Sequence, residues 1–206
     1  NKQALFASAA ILLEQNNYNQ ALSYVIRLRD KYPNDPYAKL LHSSILALQG
    51  DGRQANSLLR NIQQQFLNFT DEQKQNREVL LLSASVDYIN ENYQQARIQF
   101  RRYLRDFGEN VTARQHLARM ALKENNFSLA RQHIDNAIKL ADNDAELYLL
   151  AIHIYQQMLS SQELFNFVEL VYKKFSTHNL IRDQYINALI ALGRNEEAMT
   201  ELQSVS

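Results

Sequence analysis

The sequence has no cysteine and no tryptophan. Without thiols it can form no disulfide, no thiolate metal site and no cysteine nucleophile. Four glycines and two prolines in 206 residues are too few for a sheet protein with many tight turns, and they form no Gly-rich phosphate loop. There is no excess of charge: 22 Lys and Arg offset 22 Asp and Glu, so no overall field draws in nucleic acid, anionic lipid or a polyanion. The longest uninterrupted apolar run, Leu147 to Ile152, is far shorter than the ~20 residues a membrane-spanning helix needs. Asn1 to Ala10 lacks the basic stretch, apolar core and cleavage site of a secretory signal. The chain does not start with methionine and its last residues still read as helical, which predicts a piece excised from a longer protein. What remains is ordinary for a folded chain, 46% hydrophobic and 21% charged. Asn and Gln supply 40 residues, a share that hyperthermophiles avoid, which points to a mesophilic or cold-water source.

The strongest positive signal is internal repetition. Short turn segments recur, each leading into an alanine: Asn16 to Ala21, Gly50 to Ala55, Glu91 to Ala96, Asn125 to Ala130 and Gly193 to Ala198. The alanines are spaced by 34, 41, 34 and 68 residues, and 68 is twice 34. A sixth unit with Leu164 in the alanine slot fills the long gap, and a seven-residue insertion accounts for the spacing of 41. The units run 2–35, 36–69, 77–110, 111–144, 145–178 and a truncated 179–206, with a polar insert at 70–76.

A period of 34 with this content resembles the tetratricopeptide repeat, a helix-turn-helix unit. The family places a small residue eighth in the first helix, and here stand Ala9, Ser43, Ala84, Ala118, Ile152 and Ile186. It places an aromatic residue at the turn, matched by Tyr18, Tyr93 and Phe127, and small or apolar residues late in the second helix, where Leu28, Ile62, Tyr103, Ala137, Val171 and Val205 stand. The family's closing proline is met only by Pro33, and its early tryptophan is replaced throughout by Leu5, Lys39, Leu80, Arg114, Tyr148 and Arg182. The resemblance implies an all-α fold: one right-handed α-solenoid over residues 1–206, of about six units and about 12 antiparallel helices. Physically, the small eighth and twentieth residues let paired backbones approach closely, and stacking buries the apolar face that one pair cannot cover. Ile152 and Leu164 break that rule. They predict helices set further apart, or crossed differently, with a local change of twist near residues 150–170.

In the insert, Thr70 and Gln73 have the spacing of a capping box, so the third repeat's first helix is expected to begin early, near Asp71, and gain about two turns. Elsewhere chemistry is scarce. His42, His116, His133, His153 and His178 include no pair at the i, i+4 spacing of a helical metal site; only His116 and His153, on first helices one unit apart, are candidates to meet. No phosphate, nucleophile-elbow or zinc-protease motif occurs. Acidic pairs such as Glu196–Glu197 fall where they complement helix starts. No enzyme, no cofactor and no metal site is therefore expected. Arg97, Arg101 and Arg105 form one helical stripe beside Arg102, with Asp106 and Glu109 close by, which reads as a compensated solvated face or as a docking patch.

The resemblance also implies a concave groove lined by first helices. Its first three units offer Phe6, Tyr37, Leu40, Ser44, Leu81, Ser85 and Tyr88, an apolar surface with aromatic rims. Units four and five offer Gln115, His116, Arg119, Lys123, His153 and Gln157, a polar and basic one. Many of the leucines equally suit packing between neighbouring first helices. The aromatic residues and Arg119 suit a protein interface, where such side chains are enriched. The expected partner is another protein or a peptide segment, apolar with an acidic group that meets Arg119 and Lys123. Neither nucleic acid nor membrane insertion is expected. The family's carboxylate clamp for chaperone C-termini is missing, since the fifth and ninth places read Phe6/Ala10, Leu40/Ser44 and Leu81/Ser85. The second helix of the truncated sixth unit is expected to expose Ala198, Leu202 and Val205, which would permit end-to-end self-association.

The leading functional reading is a non-catalytic interaction scaffold. Segments such as His42 to Ile62 and Ala84 to Leu104 are similar in style to the tetratricopeptide lipoprotein of the bacterial PEP-CTERM/exosortase exopolysaccharide system. That resemblance implies a periplasmic, outer-membrane-associated location and a part in polysaccharide export. A cytoplasmic regulator or assembly factor with the same solenoid is the alternative, and a glycan or nucleic-acid binder a more distant one.

Overall fold

A computed structural model describes residues 1–15 and 17–203, so the expectations that fall on Asn16 and Val205 lie outside the described residues. The described residues form thirteen helices and no strand. They are α1 (Lys2–Glu14), α2 (Tyr18–Lys31), α3 (Pro36–Leu48), α4 (Gly52–Leu67), α5 (Asp71–Lys74), α6 (Arg77–Ile89), α7 (Tyr93–Phe107), α8 (Val111–Lys123), α9 (Phe127–Leu140), α10 (Ala145–Tyr155), α11 (Ser161–Lys174), α12 (Asn179–Ala191) and α13 (Asn195–Gln203). All but the short α5 fall into consecutive pairs, a first helix and a second. The chain divides into two compact units, Asn1–Gln99 and Phe100–Ser206.

Local chemistry starts the helices. Asn1, Asp35, Asn76, Asn110 and Asp144 stand before first helices, and each side chain accepts a backbone N–H two or three residues on. Asn17, Asp51, Asn126 and Ser160 do the same for second helices. Each such cap is worth about 1 kcal/mol. The turn inside a repeat is equally regular. Its fifteenth residue is left-handed in four repeats: Gly50 (φ 86°), Glu91 (φ 62°), Asn125 (φ 57°) and Gly193 (φ 73°). The next N–H then reaches back to a carbonyl five residues earlier: Asp51 to Leu46 at 2.8 Å, Asn92 to Asp87 at 2.8 Å, Asn126 to Ala121 at 2.9 Å and Arg194 to Leu189 at 3.0 Å. These are Schellman closures, which satisfy carbonyls the helix end would otherwise leave bare.

Within the first unit, Ala9, Ala21, Val25 and Ile45 form one buried cluster, and Leu59, Ile62, Phe66, Leu82 and Val86 form the next. Within the second unit, Ala118, Ala130, Ile134, Ala137, Leu147, Ala151 and Ile154 share a cluster, followed by Ile152, Phe165, Val168, Val171, Ile181, Ile186, Leu189 and Ala198. The small eighth and twentieth residues are therefore buried where the pairs close.

Repeat five departs from the pattern, and its residues show why. Leu159 occupies the left-handed position but does not adopt that conformation, which a β-carbon disfavours. Instead α10 ends after 11 residues, against 13 in α8. Ser160 and Glu163 then form a capping box that opens α11. The backbones of α10 and α11 approach each other less closely than those of α8 and α9, in keeping with the bulk of Ile152 and Leu164. Aromatic rings fill the seam: Tyr155 meets Phe167 at 4.6 Å between centroids, and Tyr148 meets Phe175 at 5.2 Å.

Two expectations are corrected. The insert does not lengthen the third repeat's first helix. The Thr70/Gln73 capping box is present, but it opens only the single turn of α5, and Asn76 caps α6 afresh by accepting the amides of Glu78 and Val79. The chain thus has a thirteenth helix in place of an extended one. At the other end Ala198 is 2% exposed, packed in the cluster of Ile186 and Leu189, whereas Leu202 is 53% exposed. The alanine slot faces its own partner helix, so no later repeat is needed to cover it.

Candidate partner-binding faces

In the first unit, several candidate side chains are committed to the fold. The Tyr37 hydroxyl donates to the Glu78 carbonyl at 2.8 Å, and its ring packs with Leu40 against the cluster around Phe66. Ser44 donates to the Leu40 carbonyl at 3.1 Å. Ser85 is buried rather than groove-exposed, and its hydroxyl bonds back to the Leu81 carbonyl at 2.9 Å. Tyr88 meets Tyr93 edge to face at 5.6 Å, bracing the turn of repeat three. Phe6 is half-buried, with the Lys2 ammonium 6.0 Å from its ring. Lys2 also pairs with Asp35, which caps α3. Exposed apolar side chains in this unit are spread over first helices, at Ile11, Leu48 and Ile89, and second helices, at Ile26, Leu67 and Ile98.

In the second unit the candidates lie on α8, on α10 and, for Gln157, in the turn that follows α10. His116 stacks on Phe100 at 5.1 Å and 21°, and burial together with the Arg119 cation pushes its pKa down to about 4. The ring is therefore neutral at pH 7. Gln115 and Arg119 are half-buried, while Lys123, His153 and Gln157 are exposed. Arg119 makes no ion pair or hydrogen bond with any described residue. Gln156 donates to Gln184 on α12 at 3.4 Å, tying two first helices together.

Other polar groups that spacing did not single out are structural. Arg29 Nη1 lies 2.6 Å from His42 Nδ1, and burial with Arg29 nearby lowers that imidazole's pKa. Arg114 forks onto Glu109 at 2.7 and 2.5 Å and reaches His133 Nδ1 at 3.0 Å. Burial, then Arg114 and Arg101, push His133 down to about 4. Each ring nitrogen must accept, since an arginine can only donate. These pairs are 13 and 19 residues apart, and no local motif signals them. In the arginine stripe, Arg102 and Arg105 bond to Asp106 at 3.3 and 2.7 Å, while Arg101 is exposed. Among the described residues no group of three or more His, Asp or Glu could hold a metal ion, and no helix is long and apolar enough to cross a membrane.

Residues 81–145 match the family model described as "Tetratricopeptide repeat". The chain carries tetratricopeptide repeat sequence over that stretch. Its fold is the all-α helical-repeat solenoid, as two likenesses show. One is a thermophilic tetratricopeptide protein of Thermus thermophilus, 13% identical with TM-score 0.69, covering 92% of this chain and 100% of that one. The other is PilW, a type IV pilus biogenesis factor, 12% identical with TM-score 0.67, covering 99% and 91%. A tetratricopeptide repeat protein of Parabacteroides merdae is also similar, 14% identical with TM-score 0.55, covering 99% and 78%. No curated protein matches the chain in sequence. The repeat family accounts for the Schellman turns and the small-residue seams. Repeat five, with its aromatic seam and Ser160 cap, is the local exception.

Proposed function

We propose that this protein is a non-catalytic scaffold that captures a segment of another protein on the exposed faces of its first helices. Tetratricopeptide repeats serve protein–protein interaction and assembly. The observation that carries the reading is Arg119. It is a half-buried guanidinium held beside a neutral His116 and Gln115 with no carboxylate of its own. A cation built into a protein surface without an internal partner is suited to an acidic group on a ligand, and Arg is enriched where such contacts hold complexes together. Lys123, one turn along α8, extends the same basic face. On the first unit, Phe6 and the exposed Leu48 and Ile89 offer contacts for apolar side chains. Tyr37 and Ser85 support the helices behind that surface.

The segment recognised would thus be apolar with an acidic group. Following the resemblance to envelope members of the family, the setting proposed is the bacterial envelope, in exopolysaccharide-export assembly. The test is a peptide array probed with the intact chain and with an Arg119→Glu/Lys123→Glu variant. The wild type should select peptides that combine apolar residues with Asp or Glu, and the variant should lose that preference while keeping its helical circular dichroism. Identical selection by both proteins would refute the reading. Fractionation of cells carrying the full-length protein tests the envelope setting separately.

A further inference from the structure

The first unit holds a cleft of about 460 Å³ that the partner-binding reading leaves unused. Its lining is Asn34, Lys39, Asn61, Gln64, Gln65 and Asn68: five carboxamides, one ammonium, no carboxylate and no apolar side chain. Lys39 projects from α3 towards α4. Its Nζ donates to Asn61 Oδ1 at 2.7 Å and to Gln65 Oε1 at 3.1 Å, and Gln65 Nε2 in turn donates to the Asn34 carbonyl at 2.8 Å. An ammonium has three donors, and the two in use here end on neutral oxygens. Lys39 forms no ion pair with any described residue. The acid nearest to it in charge effect, Asp35, is paired with Lys2 and caps Ala38. Arg29 adds a second positive charge to the neighbourhood, and burial together with Arg29 lowers the Lys39 pKa. The cleft is thus short of negative charge. Gln64 and Asn68 stand one turn apart at its rim, and their side-chain amides engage no other described residue.

We propose that this cleft binds a small polar ligand carrying one carboxylate, which pairs with Lys39 while hydroxyl or amide groups of the ligand meet Gln64 and Asn68. The carboxylate follows from the cation that only neutral oxygens hold, and charge-assisted contacts are the strong ones at such a site. A single ammonium matches a single negative charge better than the two of a phosphate. The polar remainder follows from five carboxamides, each offering both donor and acceptor. The volume lies within the range of small-molecule sites. The proposal does not depend on the partner-binding faces, whose residues it does not share.

The experiment is an NMR titration of the uniformly ¹⁵N-labelled intact chain with glutaramate, which carries one carboxylate and one carboxamide. Glutaramide serves as its uncharged match, and sodium chloride is added at equal ionic strength. Glutaramate should give saturable shifts at the side-chain amides of Asn61, Gln64, Gln65 and Asn68, with no response to glutaramide or chloride. Lys39→Gln should weaken glutaramate at least tenfold, and Lys74→Gln, on the exposed α5, should leave it unchanged. Gln64→Ala/Asn68→Ala, which alters only rim side chains, should weaken it about threefold and keeps the test valid if Lys39→Gln disturbs folding. No saturable shift up to roughly 50 mM glutaramate, equal shifts with glutaramide or chloride, or unchanged affinity in both cleft variants would overturn the proposal.

Discussion

Two glycines two residues apart should respond in opposite directions to the same substitution. Gly50 closes α3 in the left-handed conformation, at φ 86°, and its N–H reaches the Ala47 carbonyl at 3.1 Å. Gly52 is the first residue of α4, has no positive φ, and follows the Asp51 cap. A β-carbon added at either site meets nothing within 4 Å, so side-chain sterics do not distinguish them. What differs is the backbone. An L-residue in the left-handed region costs about 1–2 kcal/mol, whereas alanine for glycine restricts the unfolded chain and returns about 0.4–1 kcal/mol. Gly50→Ala should therefore destabilise by about 1 kcal/mol, and Gly52→Ala should stabilise by about 0.5 kcal/mol. For a chain of this size 1 kcal/mol moves Tm by about 2–4 °C. Because repeat arrays can unfold in stages, the shifts should be read both by urea midpoint and by amide hydrogen exchange in α3 and α4. Gly193→Ala, at φ 73°, should follow Gly50. If Gly50→Ala and Gly52→Ala move stability in the same direction, left-handed closure is not what the glycine supplies.

Further predictions concern packing and pH. Making repeat five more family-like should harm it: Ile152→Ala should cost about 2–5 kcal/mol, because the aromatic seam around Ile152 cannot collapse onto a smaller residue. Ala118→Leu, in the tight seam of repeat four, should cost about 1–3 kcal/mol by overpacking, and calorimetry on both variants checks the contrast. His116 and His133 have folded pKa values near 4, below the ordinary 6.5. The unfolded chain therefore binds protons that the folded chain refuses, and stability is full above pH 6.5 and lost as pH falls towards 4. After allowing for partial exposure the loss is about 2 kcal/mol per ring, and denaturant midpoints across pH 4–8 should show it. His133→Asn should flatten part of that slope; an unchanged slope would mean the ring is not held neutral by burial beside Arg114 and Arg101.

Much of the architecture was legible because one physical requirement recurs at one interval. Ala21, Ala55, Ala96, Ala130 and Ala198 stand where backbones must approach, and helix caps of Asn and Asp stand just before. What escaped were features set by neighbours or by a second local signal. The capping box at Thr70 and Gln73 was readable, yet Asn76 followed by Glu78 is itself a start signal, and two starts so close imply a break. The burial of Ala198 follows from its own slot, which faces inward whatever comes after it. Left-handed Glu91 carries no mark in its side chain; only the register shared with Gly50, Asn125 and Gly193 exposes it. The candidate faces were read less fully. Whether Tyr37 or Ser85 meets a ligand depends on the Glu78 and Leu81 carbonyls within reach, and a list of repeat positions does not contain that. The cleft around Lys39 went unseen because glutamine and asparagine carry no motif, although Lys39 occupies the family's tryptophan position.

The self-contained turn at 70–76 has an evolutionary and practical corollary. Every side chain from Thr70 to Glu78 is exposed, and the flanking helices end and begin on caps of their own. Length can therefore change there without loosening either neighbour. Such a place is where a lineage can lose phase and survive, and where an epitope, dye or affinity handle can be spliced at little thermodynamic cost.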